Sequence, residues 1–408
     1  MSRVALFMAV VLGFAAVATV GEVARADEPT VSRGLAKTLK AANEALQAKK
    51  YDEVLAKTRE AEAMSPKSAY DEYVIHSMQM AAYGAQSNYP QTATSIESII
   101  DSPYLPAANK PTLLRTLMSI DYQDKDYEKA IQYGKRAQAA GDSSGDTALT
   151  IAQAYYLNGS YKEALGSMQE IVARDEQAGR KPSEKSLNLV WNCALKVHDD
   201  AAASKAVEKL ILNYPKPDYW ANAMVPVLQN RTANDDRLLL MTYRLMYQVG
   251  ILKRGADFTE MAQIALDQGN PGEAQAVLQQ AMAKSLYGSK EDLDRVTRLL
   301  DKVVKEAAAD RASIAKDEKA AATAPTGDAL VQIGAAYMGF GQIDQAIAAI
   351  NAGIAKGNLK HPDEDYMLLG IAYGRARNSS EAVKAFDKAN ADPKYARLAR
   401  LWALQARS

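Results

Sequence analysis

The chain has 408 residues, and its 49 basic and 49 acidic side chains leave a formal net charge of zero. That balance removes any electrostatic reason to expect nucleic acid or an anionic membrane as partner. One cysteine, Cys193, excludes an internal disulfide framework.

The N-terminus reads as an export signal. Arg3 gives a positive start, Val4 to Val20 is apolar, and Ala24, Arg25 and Ala26 form a small-x-small cleavage motif. Cleavage after Ala26 leaves a net charge near −1. No cysteine follows the apolar run, so no lipid attachment is expected there. No later segment reaches the roughly 20 apolar residues that a membrane-spanning helix needs. An exported, periplasmic protein without an integral span is the expectation.

Beyond residue 35 the chain repeats itself. Ala42, Tyr51, Val54, Ala61 and Pro66 open a first helical hairpin, and Tyr127 and Ala130 mark another within 112–138. In 146–173, Leu149, Ile151, Ala152 and Tyr155 recur at helical spacing up to Asn158 and Gly159. Tyr161, Ala164, Leu165, Met168 and Ile171 then form a second helix. Tyr155 precedes Ala164 by nine residues, and the gap returns at Ala194–Ala203, Ala265–Ala274, Tyr337–Ala346 and Tyr373–Ala382. Gly159, Gly269 and Gly341 each sit five residues before such an alanine, where a glycine can end one helix in a left-handed turn. From Ala130 to Ala164 is 34 residues, and from Ala346 to Ala382 is 36. A hairpin of this size buries one face only, so a period in this range predicts an all-α solenoid of stacked antiparallel hairpins.

Residues 69–103 and 218–249 have helical periodicity without a clear register. Ala274 to Ala346 spans 72 residues, which leaves room for one degenerate hairpin at 288–322. Residues 288–326 carry charged runs among alanines and read as a long, partly solvated helix, a charged connector or degenerate repeat, with a hinge as the sharper alternative. After Pro393, Tyr395, Leu398, Leu401 and Trp402 share a helical face opposite several arginines, as suits a terminal cap helix. The expected organisation is a signal peptide at 1–26, an N-terminal array at 27–287, the connector at 288–326, and a C-terminal pair with cap helix at 327–408.

The pattern resembles the tetratricopeptide repeat, which has a small residue at position 8, an aromatic at 11 and alanine at 20. Gly334, Tyr337, Gly341 and Ala346 match in one unit, and Gly370, Tyr373, Ala382, Phe386 and Ala389 match in the next. The order of well-formed and degenerate units is also similar to that of periplasmic repeat proteins associated with the TonB energy-transduction system. In such repeats the first helix of each hairpin lines the concave groove, commonly at positions 2, 5, 9, 12 and 13. The resemblance therefore implies groove positions at Arg115, Ser119 and Tyr122, at Gln153 and Tyr156, and at Lys185, Asn188, Asn192 and Lys196. This polar, aromatic strip suits an extended peptide backbone. Further along, Ala221, Val225 and Leu228, then Val331, Ala335 and Met338, imply a more apolar half open to an amphipathic helix or another subunit.

No catalytic signature is present. His76, His198 and His361 lie in separate units without a partner at metal-ligand spacing, so no metal or cofactor is expected. Cys193 sits inside a helical pattern and reads as a packing residue. Asp199–Asp200, Asp235–Asp236 and Asp363–Asp365 fall at turns, where acidic residues cap helices. The expected role is a scaffold or adaptor for a protein partner in the cell envelope, with TonB-system components among the candidates. The alternatives are a docking subunit of an envelope polysaccharide or outer-membrane assembly machine, and a helical-repeat cell-wall hydrolase.

Overall fold

The computed structural model describes residues 29–229, 235–391 and 393–408, so the expected signal at 1–26 lies outside the described residues. Within them the secondary structure is helical, with no strand. The chain divides into two compact units. The first comprises residues up to Pro182 together with Asn192–Asp199, and the second comprises Ser183–Trp191 with Asp200–Ser408.

The first unit contains four antiparallel hairpins: α1 (Arg33–Gln47) with α2 (Tyr51–Ala63), α3 (Ala69–Ala85) with α4 (Tyr89–Ile99), α5 (Lys110–Gln123) with α6 (Tyr127–Ala139), and α7 (Gly145–Leu157) with α8 (Tyr161–Gln177). Helix α9 (Glu184–Lys196) contributes its last residues to this unit and its first to the other. Among the described residues of this unit the apolar core is divided into clusters. One apolar cluster joins α1 to α3 through Leu39, Val54 and Ile75, another joins α4 to α6 through Ile96, Leu114 and Ala137, and a third joins α5 to α7 through Met118, Ala130 and Ile151. Each hairpin is thus stabilised by its neighbours, as in other stacked repeats.

A local device sets the register. Among the described residues, eight with positive φ lie between the two helices of a hairpin, among them Gly159 (80°), Gly269 (73°) and Gly341 (76°), and each stands five places before a buried residue. At the remaining five sites a residue with a Cβ accepts the same angle: Lys49, Ser87, Lys125, His198 and Arg377. The left-handed step ends the first helix, and the second begins two residues later, for instance at Tyr161 after Gly159. This recovers the register that the sequence of 69–103 obscures: Ser87 takes the turn (φ 58°) and buried Thr92 stands where other units have alanine.

The second unit continues with α10 (Asp200–Asn213), α11 (Pro217–Gln229), α12 (Asp236–Gln248), α13 (Gly255–Asp267) and α14 (Pro271–Ala283). Then comes a departure from the expected hairpin at 288–322: α15 runs unbroken from Lys290 to Thr323. Its sequence has no Gly or Asn to favour a left-handed turn and no Pro to break the helix, and Val296, Val303, Ala307, Ile314 and Ala321 keep one buried stripe along it. Helices α16 (Asp328–Gly339), α17 (Ile343–Lys356), α18 (Pro362–Arg375) and α19 (Ser379–Lys388) resume the hairpins, and α20 (Pro393–Arg407) follows a short 3-10 turn, Ala389–Ala391.

The expected divisions at 287 and 326 are not those of the compact units. Helix α16 packs directly on α14, and a Cβ on Gly339 would come within 2.8 Å of the Glu273 nitrogen. Gly272 receives the Phe340 ring just as closely. Residues 327–408 are therefore fastened to the preceding repeats, not hinged from them. Helix α20 caps α18 and α19 but also packs on α10, α11 and α12.

Candidate functional site

Seven of the nine expected groove residues fall in the first unit. Arg115, Ser119 and Tyr122 lie on α5, Gln153 and Tyr156 on α7, and Asn192 and Lys196 at the end of α9. Ser119, Asn192 and Lys196 are exposed, and the other four are half-buried. The Tyr122 hydroxyl donates to Gln153 Oε1 (3.3 Å), linking neighbouring first helices. Gln153 Nε2 is buried and finds no hydrogen-bond partner. Arg115 Nε stands 3.7 Å from the Asp142 carboxylate.

An aromatic pair recurs through this surface with the repeat period. Tyr122 meets Tyr127 edge-on at 5.7 Å, and 34 residues later Tyr156 meets Tyr161 edge-on at 5.3 Å. The Lys196 ammonium lies 5.8 Å from the Tyr161 ring centre, and Lys135 lies 5.3 Å from that of Tyr155. Each paired ring is thus held edge-on by its neighbour, and the Lys196 ammonium lies over the Tyr161 ring.

The remaining two residues, Lys185 and Asn188, belong to the second unit. Lys185 is exposed. Asn188 is engaged within its own unit, because its Nδ2 donates to the Tyr219 hydroxyl (2.9 Å) and to the Glu184 carbonyl (3.0 Å). Glu184 in turn accepts from Tyr219 and Lys216.

The expected apolar half is open only in part. Ala221 and Val225 are exposed and Leu228 is half-buried, but Val331, Ala335 and Met338 are buried. Helices α16 and α17 cross so closely at Gly353 that Val331 lies against it, and Arg375 Nη1 covers the Met338 carbonyl at 3.1 Å. The structure instead places a cleft of about 490 Å³ beside α13. Its lining includes Ala256, Thr259 and Gln263, with Tyr287, Asp292 and Arg295 facing them. Counting back from Ala274 gives those three the same register positions as the residues chosen in the earlier repeats, so the signal was present but unused.

The chemistry of the titratable groups is structural in character. Cys193 is buried, and burial pushes its thiol up to about 11, which keeps it protonated and a poor nucleophile. His198 is a turn residue, His76 Nδ1 is 3.0 Å from Gln79 Oε1, and His361 precedes the first turn of α18. Asp235 caps α12 by accepting from the Leu238 amide (3.1 Å). Asp121 was not singled out from the sequence. Its Oδ2 is buried and unpaired, and burial, reinforced by Asp126, pushes its pKa up to about 6. Among the described residues no group of acidic, histidine or cysteine side chains is placed to hold a metal, and no helix is long and apolar enough to cross a membrane.

Helices in antiparallel pairs, a left-handed turn before a small buried residue and overlapping inter-hairpin cores build each unit from stacked helical hairpins similar to those of tetratricopeptide repeats. No family model and no curated protein matches the sequence. Solved structures similar to it include a tetratricopeptide repeat protein from Parabacteroides merdae, with 11% identity, 82% of this chain and 98% of that chain covered, and a TM-score of 0.28. The TPR2AB domain of yeast Sti1 in its pHSP90 complex is 14% identical over 74% of this chain and 100% of that chain, with a TM-score of 0.24. Yeast Tom70 is 12% identical over 90% of this chain and 88% of that chain, with a TM-score of 0.25.

Proposed function

We propose that the chain is a non-catalytic adaptor that holds an extended polypeptide segment on the first-helix face of α5, α7 and the end of α9. The observation that carries this reading is the recurrence of the edge-on tyrosine pair, Tyr122–Tyr127 and Tyr156–Tyr161, at the repeat spacing. A ligand lying along such a surface meets equivalent rings at regular intervals, and several weak contacts add to one useful affinity. Tyrosine supplies contact area at low entropic cost, while Ser119 and Asn192 can pair with a peptide backbone.

The test is a photo-crosslinking residue placed at Ser119 in otherwise intact cells, read with and without Tyr122→Ala, Tyr156→Ala and Asn192→Ala combined. Loss of the crosslinked partner from the folded triple variant supports the groove. An unchanged crosslink pattern removes it.

The location proposed for this adaptor is the periplasm, on the strength of the motif at Ala24–Ala26. A mature N-terminus at Asp27 in protein recovered from the envelope fraction is the expected result. Envelope partners in the TonB system are the first candidates, and a pull-down that recovers no TonB, ExbB, ExbD or receptor component removes them.

A further inference from the structure

Helix α20 brings a second surface into being. Lying beside α10 and α19, it closes a cleft of about 400 Å³ from segments nearly two hundred residues apart. The floor is apolar: Phe386, Ala399, Ala403 and Leu404 are buried, and Leu212 stands exposed at one side. The rim is basic. Lys205 and Lys209, four residues apart, share a face of α10, and Arg400 and Arg407, seven apart, share a face of α20.

Two carboxylates oppose these four cations, Glu208 and Asp387. Arg400 reaches Glu208 only loosely, at 3.9 Å, and Arg397 beside it donates to Ser204 Oγ at 3.3 Å while its Nε stays unpaired. The cations are strung along two helices with an apolar channel between them. That arrangement fits an elongated ligand, because a compact anion would leave most of the rim unused.

We infer that this cleft docks an acidic polypeptide segment that carries an apolar side chain between its carboxylates. The apolar residue fills the channel over Phe386 and Leu404, and its flanking carboxylates face Lys205 on one helix and Arg400 and Arg407 on the other. Charge complementarity of this kind sets partner choice and association rate as much as affinity. Burial already pushes the Glu208 carboxyl up against the pull of Arg400 and Arg397, so a ligand that brings further negative charge gains if Glu208 is made neutral.

The experiment titrates the full chain against a short fluorescein-labelled peptide in which glutamates flank one leucine, read by anisotropy. Binding is expected at low salt, with a loss of about tenfold or more on passing to high salt. Lys205→Glu with Arg407→Glu, both at exposed positions, is expected to weaken binding by about tenfold or more at an unchanged melting temperature. Glu208→Gln is expected to tighten it severalfold, and the Tyr122/Tyr156/Asn192 variant to leave it unchanged. No binding, equal binding of the same peptide with lysines for glutamates, or indifference to the charge reversals overturns the assignment.

Discussion

Trp402 on the last helix donates its indole N–H to the main-chain oxygen of Met241 on α12, 3.3 Å away and 161 residues earlier in the chain. A helix that only shielded the end of the array from water would touch the final hairpin and nothing else. This one stacks Trp402 on Phe386 of that hairpin at 5.9 Å and also inserts among α10, α11 and α12. Lys394 pairs with Asp235 at the start of α12, and Arg237 on α12 reaches Glu364 on α18 at 3.3 Å. The second unit is therefore closed by long-range contacts, unlike a simple solenoid in which each repeat meets only its neighbours.

Replacing Trp402 should cost more than a terminal residue of a repeat array usually does. The side chain is buried, so Trp402→Ala removes its contacts with Phe386 and leaves the Met241 carbonyl without its indole donor. A loss of about 3–5 kcal/mol is expected in denaturant unfolding. A loss below about 1 kcal/mol would show that α20 is a peripheral lid.

The charge buried beneath this closure gives a second test. Glu273 on α14 accepts a bifurcated hydrogen bond from the single Arg244 Nε–H (2.9 and 3.1 Å) and another from Nη2, and Arg375 Nη2 stands 3.8 Å from the same carboxylate. Burial opposes the charge on Glu273, yet the attraction of Arg244 and Arg375 holds its pKa below the usual carboxyl range. Glu273→Gln strands both cations and should destabilise by about 3–5 kcal/mol, whereas Glu273→Met with Arg244→Met should cost clearly less. Because the folded pKa is depressed, this contribution is present above the usual carboxyl range and fades as the pH falls through the folded value. Equal losses in the single and double variants would contradict the charge argument.

The repeat register was legible because it is written locally. A left-handed turn residue and a small buried residue five places on specify where two helices meet, and neither depends on distant chain. The same signal read in reverse fits α15, where 290–323 holds no Gly, Pro or Asn. The contacts of Trp402 were not legible, because an amphipathic terminal helix looks the same whether it meets one hairpin or four. The candidate strip was legible only as positions. Counting placed Asn188 on the groove face, but its amide is engaged by Tyr219, 31 residues on, and sequence spacing does not report such a partner.

The crossing alanines supply the test of that register. Ala164 is fully buried in the first turn of α8, which packs on α7. Ala164→Arg forces both volume and charge into a crossing with space for neither, and should destabilise by about 3 kcal/mol or more. A melting curve matching wild type would place Ala164 away from the crossing.

Asp365 predicts a pH dependence of opposite sign to that of Glu273. It lies in the first turn of α18, buried, with Oδ2 lacking a hydrogen-bond partner. Burial, then the nearby Glu364 and Asp328, raise its pKa to about 7, and Arg237 offsets this only in part. Of those neighbours, Asp328 is itself bonded to the Lys360 amide at 2.9 Å, and Glu364 is paired with Arg237. Between the ordinary carboxyl range and about pH 7, the folded chain keeps a proton that the unfolded chain has released. Stability therefore falls as the pH rises through that window and levels off above it. Asp365→Asn keeps the shape, removes the titration and should stabilise the protein by roughly 2–4 kcal/mol above pH 7, with solvent screening setting the lower figure. Below about pH 4 both proteins carry a neutral group here and should unfold alike. The check is a set of denaturation curves from pH 4 to 8 for the two proteins. If their stabilities stay parallel across the range, Asp365 is ionised in the fold and the reading of its environment is wrong.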